Sequence, residues 1–481
     1  MNIEELTPHG VWTNFKSITQ IPRPSGKKEA IGAFLVKYGK SLGLETLQDE
    51  IGNVLIRKPA SKGLEDHPGV ILQGHMDMVP QKSLDVVFDF EKDPVHAYVD
   101  GEWVTAQGTT LGADNGIGVA AALAVLTDKD AVHPPLEVLV TVDEETGMYG
   151  AFALKGGWLN GKTLLNLDSE SEGELYIGCA GGVDSTISFR YFPADIPQGD
   201  VALRVSLTGL KGGHSGCDIN LQRANANKLM FRFLKDAVAN NEARLASVTG
   251  GSLRNAIPRE AEAVLTVPEE NVDDLLQLVA DYEDLFIREY DGVEDNIHFS
   301  AQPTGLPASL IPDEIQDSLI HSVIACPDGV FRMIPEMPDV VETSNNLAMI
   351  TTENNTVTIQ CLTRSSVESR KEELQEMIDS CFALAGAKVE FSGSYPGWKP
   401  NVDSHILRLM QKTYHEEFGE EPRVITIHAG LECGIIGRNY LGMDMISFGP
   451  TIMHPHSPDE KVNIASVEKF YHFLLATLRK L

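Results

Sequence analysis

The chain has 481 residues, and its 39 basic and 69 acidic side chains give a formal net charge of −30. So negative a surface is repelled by phosphate, which excludes nucleic acid and anionic membranes as partners. With 42% hydrophobic and 22% charged residues it is neither disordered nor fibrous, and its length predicts two or three domains.

No apolar run approaches the ~20 residues of a bilayer span. The acidic start MNIEELTPHG lacks the basic and apolar regions of a secretory signal, so the expected location is the cytoplasm. Six cysteines (Cys179, Cys217, Cys326, Cys361, Cys381, Cys433) include no C-x-x-C pair. A disulfide scaffold and a thiolate zinc finger are thereby excluded, and any metal must use histidine and carboxylates.

In chain order, residues 11–20 and 27–42 read as helices, and 69–74, 136–142 and 163–167 as short apolar strands. Between the first two strands, residues 115–126 (NGIGVAAALAVL) form an apolar helix opened by a glycine-rich turn. Strand, helix, strand at this spacing predicts an α/β unit with a mostly parallel sheet. After CAGGVDS at 179–185 the texture becomes α+β: strands at 201–207, 261–267, 356–362 and 387–391, and helices at 221–239, 269–290 and 367–385. YPGW at 395–398 marks a boundary, and a helix at 403–418 and a strand at 445–448 restore the first pattern. The expected organisation is a catalytic domain over 1–185 and 399–481, interrupted by an inserted α+β lid domain over 186–398.

Five pieces can carry chemistry: GHMDMVP (74–80), LGADNG (111–116), VDEETG (142–147), NLDSE (166–170) and HPHSPDE (454–460). Four directly follow predicted strands, at the sheet edge where ligands gather in open parallel sheets. His75 and Asp77, two apart in an extended segment, point the same way, so the Asp carboxylate can hold the imidazole nitrogen that a metal does not use. Glu144 and Glu145 point to different sides, so one can ligate while the other faces a water. His75, Asp114, Glu145, Asp168 and His456 are too many ligands for one tetrahedral zinc but suit two that share Asp114. Read blandly, LGADNG is a helix N-terminus capped by Asp114 or Asn115, and Cys217 is a small buried filler.

Taken together, these five motifs resemble the di-zinc exopeptidases that include carboxypeptidase G, aminoacylase-1, peptidase T and the carnosinases. The longer segments GTTLGADNGIG (108–118), LKGGHSG (210–216), LRNAIPRE (253–260) and HAGLECG (428–434) are most similar to the bacterial aminoacyl-histidine dipeptidases within that family. The resemblance spans essentially the whole chain. It implies two Zn2+ per chain, with Co2+ or Mn2+ as substitutes: His75 and Asp168 on one metal, Glu145 and His456 on the other, and Asp114 as the bridge, followed by a cis peptide. It further implies Asp77 as the orienting residue and Glu144 as the general base. His214 becomes an oxyanion donor, while Asn255 and Arg364 hold the substrate carboxylate. Glu432 stands where a substrate ammonium could be met.

The expected activity is hydrolysis of unblocked dipeptides, including Xaa-His such as β-alanyl-histidine. The rivals are an N-acyl amino acid deacylase or carboxypeptidase on the same scaffold, and a non-catalytic metal- or peptide-binding protein. The long insertion leaves open whether His214 acts in its own chain or across a homodimer.

Overall fold

The computed structural model describes residues 2–481. The chain divides into two units. The first runs to Gly178 and resumes over Trp398–Thr426 and Leu431–Leu481; the second comprises Cys179–Gly397 and Ile427–Gly430. Among the described residues, no helix is long and apolar enough to cross a membrane.

The first unit is built on an eight-stranded sheet. In spatial order its strands are Glu45–Gln48, Val54–Lys58, Leu136–Thr141, Val70–His75, Thr163–Asn166, Asp444–Ser447, Glu174–Cys179 and Arg423–Ile427. The central four run parallel, with antiparallel strands beside them. Every residue of Val70–His75 and Leu136–Thr141 is buried, as in parallel strands covered on both faces. The register sets the site: His75 pairs with Thr141 and Gln73 with Asn166. Strands Val70–His75 and Leu136–Thr141 therefore end level and Thr163–Asn166 ends two residues earlier, opposite Gln73, so Asp168, two residues on, emerges at the same edge.

Helix Ala113–Thr127 lies between strand Val70–His75 and helix His9–Thr19, and its residues 115–126 are all buried. Covered on both sides, it needs no polar face. Its opening differs from the capped N-terminus expected from LGADNG. Gly112 takes the cap position in the left-handed region, and neither Asp114 nor Asn115 makes a side-chain cap bond. The amides of Leu111, Gly112, Ala113 and Asp114 are instead taken up by the Glu460 carboxylate, from the far end of the chain. The Asp114–Asn115 peptide is cis.

The second unit is built on an antiparallel sheet, His298–Thr304, Asp200–Thr208, Ala261–Pro268, Arg244–Gly250, Met337–Glu353, Thr356–Ser365, Gly181–Arg190 and Lys388–Tyr395, with Gly329–Ile334 paired to Met337–Glu353, and a separate two-stranded ladder of Gly213–His214 and Ala256–Ile257. Helices Ala226–Asn241, Val272–Glu289, Asp313–Ala325 and Glu368–Leu384 help to build a core that includes Phe231, Phe233, Phe286 and Phe299. Each such ring contributes about 1.5–3 kcal/mol on burial. The boundary expected after residue 185 falls inside strand Gly181–Arg190. Pairing on both sides, to Thr356–Ser365 and to Lys388–Tyr395, outweighs the weak strand preference of the glycines there.

Candidate metal centre

The ends of strands Val70–His75, Leu136–Thr141 and Thr163–Asn166 bring three of the five motifs together, the turn before helix Ala113–Thr127 brings the fourth, and the segment after the short strand Ile452–Met453 brings His456. His75 ends one strand, Glu144 and Glu145 follow Thr141, and Asp168 follows Asn166. His75 Nε2 stands 3.1 Å from Asp114 Oδ1 and 3.3 Å from Asp168 Oδ1. His456 Nε2 stands 3.1 Å from Asp114 Oδ2 and 3.0 Å from Glu145 Oε2. Two triads thus share one aspartate, each imidazole facing a different oxygen. Ligand atoms about 2.0–2.1 Å from a tetrahedral ion lie about 3.3 Å from one another, close to the spacing found here.

The charge balance also suits cations. Asp77, Asp114, Glu144, Glu145 and Asp168 crowd two imidazoles. Burial pulls His75 down, yet Asp168, Asp114 and Asp77 hold it well above its ordinary value. Bonds to Asp114 and Glu145 lift His456 to about 11. Burial favours the neutral form of Asp114, but both imidazoles outweigh it and hold the carboxyl low. Burial raises Asp168 to about 6. Asp168 Oδ1 and Glu145 Oε1 are buried without a hydrogen-bond partner. Such orphaned oxygens beside two imidazoles are what a positive ion would satisfy, the ion taking the place of the ring protons.

Glu144 accompanies His75 and Glu145 in a third cluster of converging donor atoms. Burial pushes its carboxyl well up, and Asp168, Glu432 and Glu145 add to the rise against the pull of His75. Asp77 lies against His75 Nδ1 at 3.4 Å.

Glu432 differs from expectation. It is wholly buried, and its Oε2 accepts from Gln73 Nε2 and Thr141 Oγ1, each at 2.6 Å. Burial raises it to about 7. A carboxyl enclosed among strand side chains does not present itself to an incoming ammonium group.

In the second unit, His214 pairs with Ala256 in a two-stranded ladder, and Ser215 N–H donates to the Asn255 carbonyl at 2.8 Å. His214 and Asn255 are therefore neighbours. The amides of Gly216 and Cys217 donate to His214 Nδ1 at 3.1 and 3.0 Å. Nδ1 is thus the acceptor and Nε2 carries the proton. Burial, followed by Arg364, lowers the pKa of this imidazole, so the ring is neutral. Cys217 is exposed on the same turn, to which it contributes its amide, correcting its reading as a buried filler. Arg364 is buried, donates to Tyr395 Oη at 3.1 Å and leaves Nε unpartnered.

Four residues of the two units were not singled out from the sequence. Glu170, inside NLDSE, is raised to about 8 by burial, with Asp114 and Asp168 adding to it. Glu460 closes HPHSPDE, and Arg23 lies in no motif. His428, the first residue of HAGLECG, is buried and bonds to Ser344 Oγ through Nε2 at 2.7 Å.

Imidazole and carboxylate triads at the strand ends of an α/β sheet are the donor set of a metallohydrolase. The chain belongs to peptidase family M20/M25/M40, whose family model matches residues 71–480. It is 46% identical over 479 residues to the cytosol non-specific dipeptidase of Escherichia coli, covering 100% of this chain and 99% of that protein. It is also similar to the crystal structure of aminoacylhistidine dipeptidase from Vibrio alginolyticus, at 48% identity and a TM-score of 0.95, covering 100% of this chain and 98% of the other. Aminopeptidase PepT from Bacillus cereus shares the fold at 16% identity and a TM-score of 0.58, with 99% of each chain covered.

Proposed function

We propose that the chain is a cytoplasmic dipeptidase with two zinc ions, replaceable by Co2+ or Mn2+, that hydrolyses unblocked dipeptides, Xaa-His among them. The observation that carries the reading is the division of Asp114 between two imidazoles, one oxygen to each. A single ion needs no such division.

In this reading His75 and Asp168 would hold one ion and Glu145 and His456 the other, with Asp114 available to both. When bound, the ions supply Lewis-acid polarisation of the scissile carbonyl and lower the pKa of water. The chain supplies the rest. Asp77 fixes the His75 ring through Nδ1. Glu144 takes a proton from the attacking water and returns it to the leaving amine; its raised pKa suits a group that must do both. His214, neutral with its proton on Nε2, donates a hydrogen bond to the developing oxyanion. Arg364 and Asn255 grip the substrate carboxylate.

The test is a rate panel on metal-stripped and zinc-restored protein with free dipeptides, their N-acetylated forms and tetrapeptides. Zinc-dependent turnover confined to free dipeptides is expected. Preference for N-acetylated substrates would assign a deacylase instead, and tight peptide capture without turnover would assign a binding protein.

A further inference from the structure

Two buried side chains of opposite charge, neither of them a proposed ligand, meet on the loop that carries Asp114. Arg23 comes from the N-terminal segment, where the Met78 N–H donates to its carbonyl at 3.1 Å. Its Nη1 donates to the carbonyls of Met76 at 3.0 Å and Asp77 at 2.9 Å, and its Nη2 donates to that of Gly112. Glu460 lies four residues after His456. It accepts from the amides of Leu111 (2.8 Å), Gly112 (2.9 Å), Ala113 (2.8 Å) and Asp114 (3.2 Å). The loop is shaped around the guanidinium: Gly112 has φ +71°, and a Cβ there would stand 2.5 Å from Arg23 Nη2. A Cβ at Gly116 would stand 2.6 Å from the same nitrogen.

The two side chains reach in different directions. Arg23 ties the Asp114 loop to the two residues directly after His75. Glu460 ties the same loop to the segment that carries His456. We propose that Arg23 and Glu460 are positioning residues of the metal centre, each setting one half of it: Arg23 holds Asp114 Oδ1 against His75, and Glu460 holds Asp114 Oδ2 against His456. The inference rests on the two-metal reading above. It also accounts for buried charges whose hydrogen bonds go to backbone, because fixing a loop from both sides requires a donor fork for carbonyls and a double acceptor for amides.

The test is zinc affinity by chelator competition, with each half isolated. His75→Ala leaves the Glu145/His456 half, and His456→Ala leaves the His75/Asp168 half. Adding Glu460→Gln, which gives four amides one acceptor oxygen instead of two, should weaken zinc binding about 10–100-fold in the His75→Ala protein and change it little in the His456→Ala protein. Arg23→Met should do the reverse. If Arg23→Met fails to fold by near-UV circular dichroism, Arg23→Lys, with one compact ammonium in place of the fork, takes its place. Equal losses in both halves, or no loss in either, would overturn the assignment. A wild-type protein that binds only one zinc would overturn the two-metal reading itself, and this inference with it.

Discussion

Asp77 stands 3.4 Å from His75 Nδ1, while its two oxygens accept the amide protons of Glu144 at 3.1 Å and Glu145 at 3.4 Å. One carboxylate thus registers the His75 strand end against the turn that carries both glutamates. Asp77→Asn keeps the shape but leaves one acceptor oxygen. Metal affinity should fall about 10–100-fold, read by chelator competition, with the melting temperature of the metal-free protein changed much less.

Glu144→Gln should retain both metals and lose about 10²–10⁴ in kcat, since an amide cannot take up the proton of water. Metal content by atomic spectroscopy, alongside single-turnover rates, checks this. A near wild-type kcat would reassign the base.

The turn after His214 sets which ring nitrogen carries the proton. His214→Ala should lower kcat by about 10²–10³ without loss of metal. Gly216→Ala should lower it too, because a Cβ there would lie 2.1 Å from the His428 carbonyl oxygen and 3.0 Å from the His214 ring. The turn must shift, and the two amide donors to Nδ1 shift with it. Nitrogen NMR of the imidazole should show Nε2 protonated in the wild type and a mixed signal in Gly216→Ala.

His428 gives the second unit an acid sensitivity. Burial first, then Arg364 and His214, lower it to about 3, against about 6.5 in an unfolded chain. As pH falls below about 6.5, protons bind the unfolded state first. The stability conferred by the neutral ring is complete above that pH and declines by about 1.4 kcal/mol per pH unit until about pH 3. Urea unfolding at several pH values should show this slope, and His428→Gln should remove it.

Arg364 should make the enzyme selective for a free carboxylate. Amidating a good dipeptide leaves the guanidinium unpaired, so kcat/KM should fall about 10²-fold. Arg364→Ala should slow hydrolysis of the acid and erase most of the preference. Equal wild-type rates on acid and amide would remove the carboxylate clamp.

Most of the site that was legible in the sequence shares one property: the chemistry follows an apolar strand directly. His75, Glu144, Glu145 and Asp168 could be placed at one edge because the runs before them are unmistakably buried. Strand Met337–Glu353 was invisible because its buried middle is polar. Ser344 is satisfied by His428, Asn345 by the Pro327 carbonyl, and Asn346 by the carbonyls of Arg254 and Ala256; none of these partners is near in sequence. Arg23 and Glu460 were missed for the same reason, since their partners are backbone atoms, which leave no trace in residue identity. The role expected of Glu432 rested on a local motif match, and local matches carry no information about burial.

The strand Asp444–Ser447 is inserted between Thr163–Asn166 and Glu174–Cys179, and His456 follows Asp114 by 342 residues. At ribosomal speeds of roughly 5–20 residues per second, the stretch between those two residues takes roughly 20–70 s to make. A nascent chain at that stage holds an open sheet and an unfinished cluster of carboxylates. His75, Asp114 and Asp168 are made well before His456, so the residues of the two triads are synthesised in a fixed order. A chain stopped short of Asp444 would lack both the strand between Thr163–Asn166 and Glu174–Cys179 and the second imidazole.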